Sequence, residues 1–280
     1  MRASGPLLLG LACLLAGCAA ERPAGVPFDV PDPADVVRHD LPGFAVWVDR
    51  GCLTGDELEA LEEELARARE RIEGWLGAAL APGEFGRPGE RPACPADLQR
   101  AAPRKAGTIE VVIVAEGDRC HADAQGIVVT RDHLPRQDAT HELVHYLAGA
   151  SWHPLDEGFA VWLTEELWGP DKGWSLEVRA RAYRDLSHRV SLSPEHLRGG
   201  MDRRDYDVAG AFVGWLIRTH GKEKFLRLYA GPERDYWTVY GTGERELEDR
   251  FWKHVASLRV RHDPAYHTFM AHLSALSGRR

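Results

Sequence analysis

The run His141-Glu142-Leu143-Val144-His145, with Glu157 twelve residues beyond it in Asp156-Glu157-Gly158-Phe159-Ala160, restricts this chain more than any other feature. Residues four apart on an α-helix share one face about one turn apart, so both imidazoles can reach a single point. A catalytic zinc ion takes three protein ligands and leaves a fourth position open for water. Glu142 adjoins the first histidine, where a carboxylate can handle the proton of a water at that open position. An acid from a second helix would complete the set, and Glu157 is the first choice for it.

The flanking residues favour a buried helix over an exposed one carrying two surface histidines. Leu143, Val144 and Leu147 share the segment with the histidines, which describes an element apolar on one side and polar toward a cleft. From Leu155 to Trp168, Phe159, Val161, Trp162, Leu163 and Leu167 alternate with the small residues Gly158 and Ala160, as in a helix packed closely on another. Taken alone, Glu157 also fits a plainer role, a first-turn acid that complements the helix dipole. Asp156 has the same oxygen chemistry, but consecutive helical residues point about 100° apart, so only one of the two acids can face a given ion. His153 is a further alternative ligand. A zinc class that needs glycine and histidine three and six residues after the second ligand is excluded, because Ala148 and Ser151 stand there.

Joined, these segments resemble the gluzincin metallopeptidases, and in particular the small peptidase MA-like domains. Their pattern is a histidine-glutamate-x-x-histidine helix followed by a Glu-Gly-x-Ala helix, here His141 to His145 and Glu157-Gly158-Phe159-Ala160. Ile109 to Val114 and Gly126 to Thr130 are similar to the strands before the zinc helix, and Tyr206 to Val213 to a later helix of the family. The resemblance implies an α+β, zincin-like fold with a small sheet beside the active-site helix and a mostly helical C-terminal half. It implies one Zn2+ ion held by His141, His145 and Glu157, with Glu142 as general base and a peptide or protein as substrate. Oxyanion chemistry also needs a donor, commonly a tyrosine or histidine of the later helices. Tyr206 is the candidate, with Tyr240 and His220 as substitutes, although a half-buried structural tyrosine is the simpler account of that residue.

Met1-Arg2 and the apolar run Leu7 to Ala16 have the charged and hydrophobic regions of a secretory signal, too short to span a bilayer as a mature helix. Leu15-Ala16-Gly17-Cys18 resembles the bacterial lipoprotein cleavage box, which makes residues 1–18 a signal peptide and Cys18 the lipid-bearing residue. Each buried acyl methylene contributes about 0.8 kcal/mol, so several chains on Cys18 anchor a protein to a membrane without a transmembrane helix. Ala19 after the cysteine points to the outer membrane, by resemblance to the sorting rule of some Gram-negative bacteria. Residues 19–42 contain five prolines and read as a tether. Residues 43–276 are then the catalytic domain, long enough for one substantial core.

Three further cysteines, Cys52, Cys94 and Cys120, imply one disulfide and one thiol in an oxidising compartment, with Cys94–Cys120 the expected pair. None has the close spacing of a cysteine-type zinc site. The net charge of −8, from 35 basic and 43 acidic side chains, speaks against nucleic acid as a partner. Many of the acids fall between Asp56 and Glu73, where Thr54 and Glu57 have capping-box spacing and Leu58, Leu61, Leu65, Ile72 and Leu76 recur at helical intervals. That predicts a surface helix from Thr54 to Leu80 with a Glu63–Arg67 pair on its solvated side. A strand near Phe44 to Val48 precedes it, and a Gly/Pro-rich loop from Pro82 to Pro103 follows. Strands early and helices late indicate an α+β domain. A non-catalytic zinc-binding lipoprotein of the envelope is the alternative function, opposed by the presence of Glu142.

Overall fold

A computed structural model describes residues 36–77, 107–115, 120–122, 126–149, 153–187, 190–192, 201–230 and 235–277. The signal segment, Cys18, most of the expected tether, the Pro82–Pro103 loop and Cys94 lie outside the described residues. Strand β1 (Val36–Leu41) pairs antiparallel with β2 (Phe44–Asp49), Leu41 standing opposite Phe44 across a two-residue turn. Gly43, at φ 82°, supplies the left-handed turn residue that a side chain resists. The tether therefore ends sooner than Pro42. The prolines from Pro23 to Pro33 stop before Val36, and the six residues of β1 keep every N–H free to pair.

Helix α1 (Gly55–Leu76) begins as the sequence predicts. The Glu57 N–H donates to Thr54 Oγ1 at 3.3 Å, and the Thr54 N–H donates to Glu57 Oε2 at 2.7 Å, so two orphan donors are satisfied at once. Leu61, Leu65, Ala68, Ile72 and Leu76 form its buried stripe, while the Glu63–Arg67 pair (2.9 Å) lies in solvent. The helix stops at Gly77, φ 59°, short of Leu80. It links β2 to the parallel strand β3 (Ile109–Val114), the expected device for a parallel connection. β5 (Gly126–Thr130) lies parallel to β3, and the short β4 (His121–Ala122) runs antiparallel along its free side, giving the order β1-β2-β3-β5-β4. All five residues of β5 are buried, because the strand is covered on both faces.

Beyond the sheet the chain is helical: α2 (Asp138–Ala148), α3 (His153–Trp168), α4 (Leu176–Asp185), α5 (Arg203–His220), α6 (Lys222–Ala230), α7 (Tyr236–Tyr240), α8 (Glu244–Ser257) and α9 (Pro264–Ser277). The result is an α+β architecture in which α2 lies between the sheet, α1 and α3. Among the described residues no helix is long and apolar enough to cross a membrane. Cys52 and Cys120 carry free thiols, and the expected Cys94–Cys120 pair falls on a residue outside the described ones.

Two polar assemblies fasten the helices. Arg179 of α4 is buried between Glu165 of α3 and Asp207 of α5, with the Tyr183 hydroxyl donating to Asp207 Oδ2 at 2.9 Å. Burial holds both carboxyls above their ordinary pKa even though Arg179 opposes it. On the opposite side of α4, two residues on, Arg181 donates to the carbonyls of Val255, Ala256 and Leu258 at 3.1, 2.7 and 2.9 Å, capping the close of α8. Asp185 then accepts from Arg181 (2.9 Å), Arg261 (3.0 Å) and the Tyr266 hydroxyl (2.9 Å).

The apolar counterpart is the crossing of α3 and α5. A Cβ placed on Gly158 would lie 2.6 Å from the Ala209 carbonyl oxygen, a backbone atom that cannot step aside. Gly158→Ala should therefore cost about 1–3 kcal/mol in urea denaturation, despite alanine's better helix propensity. Burial raises the Asp185 pKa, but its donors outweigh that and bring it from 3.8 down to about 2. Its contribution, about 2 kcal/mol, is complete above the unfolded value and is lost as pH falls through 4 toward 2. In denaturation at pH 2 to 6, Asp185→Asn should flatten that part of the stability profile.

Candidate metal centre

Helix α2 is entered through a kink. After β5 a 3-10 turn (Arg131–Arg136) reaches Gln137, whose left-handed backbone (φ 63°, ψ 22°) redirects the chain into Asp138. Leu143, Val144 and Leu147 enter the core, as their spacing implies. Thr140 fixes the helix laterally: its hydroxyl donates to Glu64 Oε1 of α1 at 2.9 Å and accepts from Trp168 Nε1 of α3 at 3.0 Å. Burial lifts the Glu64 carboxyl above its ordinary pKa.

On the remaining face His141 Nε2 and His145 Nε2 stand 3.0 Å apart, and Glu157 Oε2 lies 3.3 and 3.2 Å from them. Three donors from two helices thus form a nearly equilateral triangle. Tetrahedral zinc bonds of about 2.0–2.1 Å would place their donor atoms about 3.3 Å apart, so the donor set and its dimensions suit that ion. His145 is sealed in, its side chain 3% exposed, whereas His141 and Glu157 are 18% and 14% exposed. Solvent therefore reaches the triangle from the side of His141 and Glu157. Glu142, buried on the same helix, is the next residue after His141.

The arrangement extends past the three expected residues. Asp156 Oδ1 lies 3.2 Å from His145 Nδ1, although off line for a straight hydrogen bond. The Tyr229 hydroxyl of α6 in turn contacts Asp156 Oδ1 at 2.8 Å and the Gly149 carbonyl, just past the end of α2, at 2.7 Å. Burial pulls the His145 pKa down, but Asp156 and Glu157 more than compensate and hold it well above its usual value. Burial likewise favours the neutral Glu157, and His145 and His141 outweigh it, so this carboxyl sits well below the ordinary range. Charge complementarity, not exposure, governs both groups.

Asp156 is therefore set against the other nitrogen of a candidate ligand. The sequence carried half of its signal, the 100° step that turns Asp156 away from the triangle, whereas its approach to Nδ1 comes from the packing of α3 on α2. Tyr229 had none, being brought in from 73 residues away. The His153 side chain lies outside the described residues. Tyr206 is half-buried in the first turn of α5, one turn before the Ala209 carbonyl that meets Gly158. The two substitutes are distant from that crossing: His220, whose ring packs on Tyr240 at 5.0 Å, is roughly 16 Å along the axis of α5 from Ala209.

For zinc held by His141, His145 and Glu157, Asp156→Ala should weaken the metal affinity 10- to 100-fold, the usual effect of removing a carboxylate behind a ligand histidine. Tyr229→Phe should do less, since the carboxylate remains. Competition against a chromophoric chelator measures both. No known family model matches the chain, and no curated protein matches it in sequence.

Proposed function

We propose that this chain is a zinc-dependent metallopeptidase of gluzincin type with a zincin-like fold, anchored in the bacterial envelope as a lipoprotein through Cys18. The observation that carries the reading is the triangle of His141, His145 and Glu157, 3.0 to 3.3 Å on a side, with Glu142 on the same helix. Peptides or proteins are the substrate class, and the outer membrane is the site favoured by Ala19.

His141, His145 and Glu157 would hold one ion. When bound, zinc lowers the pKa of water toward about 7 and polarises a carbonyl oxygen. Glu142 accepts the proton of the attacking water and returns it to the leaving amine, the two halves of general acid–base catalysis by one carboxylate. Asp156 keeps the His145 ring oriented, and Tyr229 keeps Asp156 in place. Tyr206 is the proposed donor to the oxyanion of the tetrahedral stage.

The test is a pair of variants assayed on a mixed peptide library with metal content measured in parallel. Glu142→Gln should retain zinc and lose about 10²–10⁴-fold in rate, whereas His141→Ala should lose this ion. Unchanged turnover in Glu142→Gln would overturn the catalytic assignment. Zinc retained without hydrolysis of any peptide by the parent would favour the non-catalytic zinc-binding lipoprotein.

A further inference from the structure

Three side chains that the metallopeptidase reading does not use meet one helical turn before Glu142. Cys120 immediately precedes β4, His133 lies in the 3-10 turn after β5, and Asp138 opens α2. Each offers one ligand atom, and the three atoms lie within 4.8 Å of one another. Two features of the backbone create the cluster. The Thr130 N–H donates to Cys120 Sγ at 3.4 Å, holding the sulfur against the end of β5. The left-handed Gln137 folds the 3-10 turn back on the start of α2, so that His133 Nδ1 meets Asp138 Oδ2 at 2.6 Å.

We propose that Cys120, His133 and Asp138 form a second metal site, which takes one zinc-like divalent ion and leaves a fourth position for water. The ligand types decide the class of ion. A sulfur and an imidazole disfavour magnesium and calcium, which take oxygen ligands, and suit zinc or cobalt. The three residues are partly exposed, His133 and Asp138 at 29% and 31%, so an ion can enter from solvent and the side chains have room to close on it. Sequence spacing hid the site because its donors are of three kinds on three elements, whereas cysteine-type sites announce themselves by paired cysteines. A His133–Asp138 ion pair that merely neighbours a thiol is the competing account, and it predicts no bound metal at these residues.

The position gives the ion a specific effect. Asp138 and Glu142 are four residues apart on α2 and so share a face. Burial raises the Cys120 thiol pKa, and the charges of Asp138 and Glu142 add to that rise, which places all three in one electrostatic neighbourhood. A cation at Cys120 therefore lowers the local negative charge around Glu142.

The second site does not require an ion at His141, and the full chain loaded with cobalt(II) or zinc separates the two. Parent protein should show a near-ultraviolet thiolate-to-cobalt band and bind about two zinc ions. Cys120→Ser should abolish the band and remove one ion, and His133→Gln should also remove one, with folding checked by circular dichroism. His141→Ala should lose one ion yet keep the band. A parent without the band, or a band and metal count unchanged in Cys120→Ser, would overturn the second site. A parent that binds a single ion with the band, unaffected by His141→Ala, would instead defeat the reading of the first site and leave this one standing.

Discussion

An imidazole buried between two consecutive carboxylates is the constraint around which this structure is arranged. His145 is sealed from water, and a polar ring in that position is costly unless both nitrogens find partners. Glu157 stands 3.2 Å from Nε2, and Asp156 lies 3.2 Å from Nδ1 as a charge partner off line for a hydrogen bond, a flanking that is possible only because neighbouring helical side chains diverge. The opening turn of α3 must then lie at a fixed depth and rotation relative to α2. Much of the surrounding packing serves that requirement: the missing Cβ of Gly158 lets α3 approach α5, and Thr140 ties α2 to α1 and α3 in a single pair of hydrogen bonds.

What the sequence disclosed and what it withheld divide along the range of the interactions. The capping box of α1, its buried stripe and the shared face of His141 and His145 are set by residues three or four apart, and all were legible. The α+β class followed from the order of apolar strands and periodic helices. Glu157 was legible as an acid that begins a helix. Its approach to the histidines depends on tertiary packing, for which the family resemblance stood in. Asp156 was set aside as a member of the triangle, and its contact with the opposite ring nitrogen could not be derived without knowing how α3 meets α2.

Elsewhere the distant partners decided the outcome. Tyr229 reaches Asp156 from another helix, and no local pattern marks it. β1 was hidden by the prolines before it, since a strand at the edge of a sheet needs only six residues and a neighbour to pair with. α1 ended early because Gly77 adopts a backbone angle that interrupts the helix, where apolar periodicity alone would have carried it on. The mixed set Cys120, His133 and Asp138 depends on the left-handed residue between two helices, a conformation that glutamine does not advertise.

Helix α4 is fastened on two sides. Arg179 holds it to α3 and α5, while Arg181 and Asp185 hold it to the close of α8 and to the residues leading into α9. The helix that bears Glu157 is thus braced, through α4, by groups contributed as much as a hundred residues downstream. An excised fragment running from β3 to the end of α3 would carry every ligand of the triangle and lack the scaffold that orients them. Shape at this centre is a property of the whole chain, although its chemistry is written in seventeen residues.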